Sequence, residues 1–349
     1  MKKYQLIVVG GGPGGYTAAF RAAELGMSVA IIDDNDLGGV CLNWGCIPTK
    51  SLLKNAEVFE LINDASSFGI EVEKPKIHFE KIIDKTVQAR KRLSEGLHFQ
   101  VRKLGVDFYP GYANFLDQNS VEIDGTIING ETFIIATGSK AKLLNSENSS
   151  KKNIITAKDI FDLKELPKSI SIIGAGAIGV EFTYFFNALG SNVTLFEAQE
   201  TILPNEDIEI SQWMQKVLKR KKVDIKTNTK AKEIKDEHVL VCIGVKGNSK
   251  GFGLQKIGVA IGNDQHIKVD NNYQTNIKNI YAVGDVVGPP WLAHVSSTEG
   301  LYVVNHIANL SPKQIDYNCV PACTYSKPEI GSIGLTESQF CLLYTSDAA

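Results

Sequence analysis

The chain has 349 residues, 43% of them apolar, which is enough for two or three packed domains each with its own core. Its 37 Lys and Arg against 39 Asp and Glu leave a net charge of -2, which excludes any general attraction to nucleic acid or anionic membrane. No run approaches the ~20 apolar residues of a membrane span, and six cysteines without a secretory leader fit a reducing, cytoplasmic setting where a disulfide is catalytic.

Lys2-Lys3 followed by Leu6 to Val9 imitates a signal peptide, but the apolar run stops at Gly10 to Gly12, too short for a leader's apolar core. The opening segment reads instead as one βαβ unit: a strand at Leu6 to Val9, the turn Gly10-Gly11-Gly12-Pro13-Gly14-Gly15, a helix over about 16–25, and a strand from Val29 to Ile32 ending at Asp33. Gly10 permits the tight turn, Gly12 lets the backbone approach a pyrophosphate, Gly15 allows close helix packing, and Asp33 can accept from a ribose hydroxyl. Alone this is a weak signal, because glycine clusters also make ordinary turns and Asp33 could be a solvated strand end.

Next comes Gly38-Gly39-Val40-Cys41-Leu42-Asn43-Trp44-Gly45-Cys46-Ile47-Pro48-Thr49-Lys50. Residues five apart point ~140° apart on a regular helix, so a bond between Cys41 and Cys46 would need an irregular first turn, which Gly45 allows. A thiolate at a helix start is stabilised by the dipole and by unpaired N–H groups. Two unrelated buried cysteines are the bland alternative.

The nucleotide pattern then recurs: a strand at Ser171 to Ile173, the turn Gly174-Ala175-Gly176-Ala177-Ile178-Gly179, a helix to about 189, and a strand from Val193 to Phe196 ending at Glu197. In both copies the last glycine precedes the acid by 18 residues, from 15 to 33 and from 179 to 197, so two dinucleotides are expected. Glu197 is acidic where a 2′-phosphate needs a base, and Ala198-Gln199-Glu200 supplies none, so the second ligand is expected to be NAD and not NADP. Farther on, Asn279 to Asp285 reads as a short apolar strand ending in Gly-Asp. Cys242, Cys319, Cys323 and Cys341 have no comparable context and read as structural.

These strings resemble the pyridine nucleotide-disulfide oxidoreductases, and Leu42-Asn43-Trp44 is similar to the dihydrolipoamide dehydrogenases more than to glutathione or mercuric reductases. The resemblance runs from about residue 3 to 339 and takes in Gly111-Tyr112-Ala113, Thr132 to Gly138, Gly174 to Phe182, Thr275, Ile280 to Asp285, Leu292-Ala293-His294 and Pro328-Glu329-Ile330. It implies a Cys41–Cys46 redox disulfide in which Cys41 meets substrate and Cys46 faces the flavin, with Lys50 near the reactive flavin edge and paired with Glu181. It also implies FAD at Gly10, Gly12, Gly15, Asp33, Lys50, Ala113, Thr137, Gly138, Asp285, and Trp291, Leu292, Ala293 and His294 at a helix N-terminus. The NAD residues it implies are Gly174, Gly176, Ile178, Gly179, Glu181, Glu197, Ala231 and Gly244. Read residue by residue, Lys50 and Glu181 could be solvated helix residues and His294 an ordinary half-buried histidine.

The expected fold is α/β, with two Rossmann-like domains. An FAD domain covers 1–150 and 275–317, an NAD domain 151–274, and a remnant of a dimer-interface domain 318–349. The resemblance implies a homodimer acting on a small dithiol, a lipoyl group carried on a protein, with no nucleic acid or membrane partner. Two departures from it stand out. Lys235-Asp236-Glu237 replaces a small meander, which should leave part of the NAD sheet uncovered. Residues 341–349 match nothing expected, which suggests a truncated frame, an exposed apolar patch at Ile330 to Leu335, and diaphorase activity at most. A relative with another disulfide or metal substrate is the remaining enzyme alternative.

Overall fold

The computed structural model describes residues 2–144, 154–231, 234, 236 and 238–346, the side chains of 342–346 aside. The expected domain boundary at 150/151, Lys235 and Glu237 of the shortened connection, and the tail residues 347–349 lie outside the described residues.

In chain order, β1 (Lys2–Val9) leads through the glycine turn to α1 (Pro13–Glu24), β2 (Val29–Asp33), α2 (Gly39–Asn43) and α3 (Cys46–Asn63). After α4 (Phe79–Lys103) come β3 (Asp107–Pro110), β4 (Ala113–Phe115), β5 (Ser120–Ile123), β6 (Thr126–Ile135) and β7 (Ser139–Ala141). The next stretch holds β8 (Ile154–Ile155), β9 (Ser169–Ile173), α5 (Ala177–Ala188), β10 (Asn192–Phe196), α6 (Ile208–Arg220), β11 (Asp224–Lys226) and β12 (His238–Val241). β13 (Val245–Gly247), β14 (Ile280–Ala282), α7 (Ala293–Ile307), β15 (Ala322–Thr324), β16 (Ile330–Ser332) and α8 (Glu337–Ser346) complete it. The elements form two compact units, Met1–Ile47 with Ala89–Lys140 and Val245–Ile315, and Pro48–Gln88 with Ala141–Gly244 and Asp316–Ala349.

The first unit is built on a seven-stranded sheet in the order β3-β2-β1-β6-β5-β4, with β14 also on β6. The ten-residue β6 accommodates both neighbours, pairing antiparallel with β5 at Thr126–Asn129 and parallel with β14 at Phe133–Ile135. Alternation along β1 feeds two layers: Ile7 and Val9 pack with Phe115, Val121 and Phe252, while Leu6 and Val8 pack with Ala18, Ala19 and Ala22 of α1. The small residues of α1 let α7 lie against it, so closely that a Cβ on Gly300 would fall 2.4 Å from the Gly14 carbonyl oxygen. This packing holds the N-terminus of α7 beside that of α1.

The second unit has a five-stranded parallel sheet in the order β11-β10-β9-β12-β8. Ile170, Ile172, Leu195 and Leu240 face a large core with Phe182, Phe185 and Phe186 of α5, each fully buried phenylalanine contributing ~2–3 kcal/mol. The other face holds Ile173, Val239 and Val241. That face is not bare as expected, because Ala231 and Ile234 of the shortened connection pack on it with Leu144 and Ile154, leaving the three core residues 7%, 4% and 3% exposed. The expected patch near the C-terminus is also smaller: Ile330 joins the core and only Ile333 and Leu335 are exposed. Of the four cysteines expected to be structural, only Cys242 packs inside, where burial pushes its thiol up to about 12, while Cys319, Cys323 and Cys341 are exposed. Among the described residues, no helix is long and apolar enough to cross a membrane.

Candidate active site

Of the residues expected around FAD, all but Lys50 lie in the first unit, several of them at the C-terminal ends of adjacent parallel strands, where an open α/β sheet binds its ligands. Gly10 follows β1, Asp33 ends β2, Thr137 and Gly138 follow β6, and Asp285 follows β14. Ala113 opens β4, next to Gly111, whose N–H donates to the Asp33 carbonyl oxygen at 2.9 Å. Gly10 has φ +107, and a Cβ on Gly15 would lie 1.8 Å from the Gly10 carbonyl oxygen, so both positions demand glycine. α1 starts after Gly12 with Pro13 at its head, no side-chain cap and no acid in its first turn, which leaves backbone N–H groups for an anion.

The Asp33 carboxylate is tied on both oxygens: Oδ2 accepts from the Gly11 N–H at 2.6 Å and Oδ1 from the Asn35 N–H at 2.8 Å. Burial pushes its pKa up to about 6 against those two hydrogen bonds. Burial likewise raises Asp285, opposed by the Ser139 hydroxyl, which donates to Oδ2 at 2.8 Å, and by the charge of His266. Gly284 donates its N–H to the buried Glu299 at 2.6 Å, and Asn248 clasps Thr137 and Gly138 through backbone and side-chain hydrogen bonds. The helix expected from Trp291 begins two residues later: Leu292 is the N-cap, Ala293 and His294 form the first turn, and Trp291 precedes it against His266.

The redox segment is seated directly on this glycine loop. Gly38 donates its N–H to the Gly11 carbonyl oxygen at 2.8 Å, and a Cβ on Gly39 would lie 2.6 Å from the Gly12 Cα. Cys41 and Cys46 are bonded, with Cα atoms 4.5 Å apart. They do not share a single irregular first turn. Cys41 lies on α2, the chain breaks at Trp44 and Gly45, and Cys46 starts α3. A Cβ at Gly45 would lie 2.9 Å from the Val40 carbonyl oxygen, so the break needs glycine. Asn43, only 4% exposed, donates through Nδ2 to the Asp36 carbonyl oxygen, and Arg90 donates to its own carbonyl oxygen.

The second unit repeats the loop geometry closely. A Cβ on Gly179 would lie 1.9 Å from the Gly174 carbonyl oxygen, and Gly176 caps α5 with open space at its Cα and no acid in the first turn. Glu197 accepts from the Ala175 N–H at 2.7 Å and the Gln199 N–H at 2.9 Å, the same two positions that bind Asp33 in the first unit. Ile178 is exposed on the first turn, Gly244 follows β12 at φ +95, and Ala231 is drawn into the small core on the far sheet face. Lys50 donates to both oxygens of Glu181 at 2.9 Å, with the glutamate 4% and the lysine 36% exposed. Sequence reasoning missed the partners that fix these groups, Ser139, Asn248, Glu299 and Tyr325, because none carries a local motif and all but Glu299 reach their partners from more than a hundred residues away.

Two glycine-looped dinucleotide cradles and a redox disulfide on the first define the class as a flavin- and pyridine-nucleotide-dependent disulfide oxidoreductase. Residues 4–300 match the pyridine nucleotide-disulphide oxidoreductases, and the chain belongs to that family, which uses FAD and NAD(H). The dihydrolipoyl dehydrogenase of Bacillus subtilis is 37% identical over 97% of this chain and 78% of its own length. That of Mycobacterium tuberculosis is 39% identical, again over 97% and 78%. Among solved structures, the HOCl-induced flavoprotein disulfide reductase RclA of Escherichia coli superposes with a TM-score of 0.86 at 26% identity, covering 97% of this chain and 79% of its own. The cradle fits FAD: the uncapped α1, the doubly tied Asp33 and the Ser139–Asp285 pair supply along one sheet edge the N–H donors a pyrophosphate needs and carboxylate acceptors for hydroxyls.

Proposed function

We propose that this chain is a dihydrolipoyl dehydrogenase that oxidises the dithiol of a protein-borne lipoyl group and reduces NAD. The observation that carries this reading is the Cys41–Cys46 bond built onto the glycine loop of the first nucleotide unit. A substrate thiolate attacks Sγ of Cys41 and Cys46 leaves as a thiolate. The second substrate thiol then attacks the mixed disulfide, closing the lipoyl disulfide and releasing Cys41 as a thiol. FAD supplies the two-electron acceptance from the dithiol and the hydride passed to NAD.

The chain's own groups support each part of that sequence. Cys46 heads an 18-residue helix, so its thiolate gains from the helix dipole and free N–H groups, and Lys50 follows one turn later on the same face. Glu181 accepts from the Lys50 ammonium on both oxygens, and that cation favours an electron-rich reduced flavin. Glu197 accepts the adenosine ribose of NAD and repels the extra phosphate of NADP. The finer roles assigned to Gly10, Gly12, Gly15, Asp33, Ala113, Thr137, Gly138, Asp285 and residues 291–294 toward FAD, and to Gly174, Gly176, Ile178, Gly179, Ala231 and Gly244 toward NAD, rest on the same reading. The exposed Cys319, Cys323 and Cys341, none of them in a disulfide, suit a reducing cytoplasm, and a homodimer is the expected assembly.

Anaerobic addition of NADH to the flavin-loaded protein tests it. A long-wavelength thiolate-to-flavin charge-transfer band is expected with NADH, at least a hundredfold more slowly with NADPH, and not at all in Cys46→Ser, alongside NAD-dependent oxidation of dihydrolipoamide. A flavin-replete protein that shows neither band nor dithiol oxidation would sink the assignment.

A further inference from the structure

The Lys50–Glu181 pair has a third member. Tyr325, just after β15, donates its backbone N–H to Glu181 Oε1 at 2.9 Å, while its ring lies under the Lys50 ammonium, 4.7 Å from Nζ to the ring centroid. One residue therefore holds both partners, the carboxylate by its backbone and the cation by its side chain. Its neighbours Thr324 and Ser326 are each 2% exposed, so the backbone is fixed by burial. The ring itself is 42% exposed, so core packing does not explain it. Lys50 is 36% exposed and hangs on a flexible four-carbon stem, so the carboxylate alone leaves the ammonium free to swing toward solvent on its open side. The ring adds a second hold, presenting its negative face to the ammonium.

We infer that Tyr325 is a positioning residue for the redox reaction, confining the Lys50 ammonium to one orientation through the face of its ring. The inference rests on the reading of Lys50 as the cation that favours reduced flavin. The ring is the agent and the hydroxyl is not, so Phe at this position keeps the effect and an aliphatic residue of similar bulk loses it. A cation–π contact of this exposure is worth a factor of about three to ten in the reduced-to-oxidised flavin ratio, which is ~15–30 mV for a two-electron couple.

The test is the flavin midpoint potential of the FAD-loaded protein, measured by spectroelectrochemistry in four variants. Tyr325→Leu is expected to lower the potential by that amount, Tyr325→Phe to leave it in place, Lys50→Met to lower it further, and Tyr325→Leu added to Lys50→Met to change nothing more. Tyr325→Met replaces the leucine variant if the latter loses its flavin. If Lys50→Met leaves the potential unchanged, the reading of the lysine fails and this inference with it. If Lys50→Met shifts the potential but Tyr325→Leu does not, or Tyr325→Phe shifts it as far as Tyr325→Leu, the tyrosine inference alone is overturned.

Discussion

Asp33 and Glu197 each end a strand with a backbone N–H on both carboxylate oxygens, one from the glycine loop and one from two residues downstream. The acid therefore shapes the loop before any ligand arrives, and under the proposed function its remaining lone pairs take the ribose hydroxyls. The 18-residue offset made both acids legible in the sequence, because strand, turn and helix lengths fix that spacing. Ser139 and Tyr325 were not legible, since what recruits them is tertiary proximity across 146 and 144 residues. The raised pKa of Asp33 has a signed consequence. Its folded-state value of about 6 exceeds the ordinary 3.8, so its contribution to the stability of flavin-free protein is full below about 4 and is lost as pH rises through about 6. That loss is on the order of 3 kcal/mol. FAD affinity runs the other way, because the ribose donates to the ionised form. Flavin retention should weaken as pH falls through 6, and Asp33→Asn should flatten both profiles. Fluorescence titration of FAD from pH 5 to 8 reads this out, and an unchanged pH profile in Asp33→Asn would refute it.

At the scale of elements, the turn-helix starts were the most readable part of the sequence and the redox segment the least. The glycine spacing located α1 and α5 because a glycine at those positions is a steric necessity, with Cβ atoms that would sit 1.8 and 1.9 Å from a carbonyl oxygen. Gly45 signalled an irregular turn, but not that it would part the segment into two helices, because a single glycine carries no measure of how far the chain must depart from the helix. The duplicated loop gives a paired prediction. Gly15→Ala must displace Gly10 and should cost several kcal/mol at the FAD loop, so the protein is expected to purify colourless. Gly179→Ala should leave the flavin spectrum intact while weakening NADH more than a hundredfold in flavin-reduction assays. Retention of normal NADH affinity in Gly179→Ala would mean that the second loop does not hold the nucleotide.

For the whole molecule, two parallel-sheet units were foreseen from the doubled motif, and the physical reason is that each βαβ repeat needs its own sheet and helix layer to bury its apolar strands. How the chain divides between them was not foreseen: residues 48–88 and 316–349 group with the second nucleotide unit, since Leu52, Leu53, Ala56, Phe79, Ile83 and Ile330 all enter its core. No local signal announces this, because an amphipathic helix such as α4 shows that it packs but not on what. The division predicts where each dinucleotide is felt. Lys50 aside, the residues proposed for FAD lie in Met1–Ile47, Ala89–Lys140 and Val245–Ile315, and those proposed for NAD in Ala141–Gly244. A ligand at a hundred times its Kd stabilises the unit that binds it by ~2.7 kcal/mol, which slows the most protected amides there about a hundredfold. Hydrogen exchange read by mass spectrometry on flavin-free protein should therefore show FAD protecting β1, β2, β6 and α7. NADH added to the flavin-loaded protein should protect β9, β10 and α5. Protection by NADH confined to β1 and α1 would place both nucleotides in the first cradle and contradict the two-site reading.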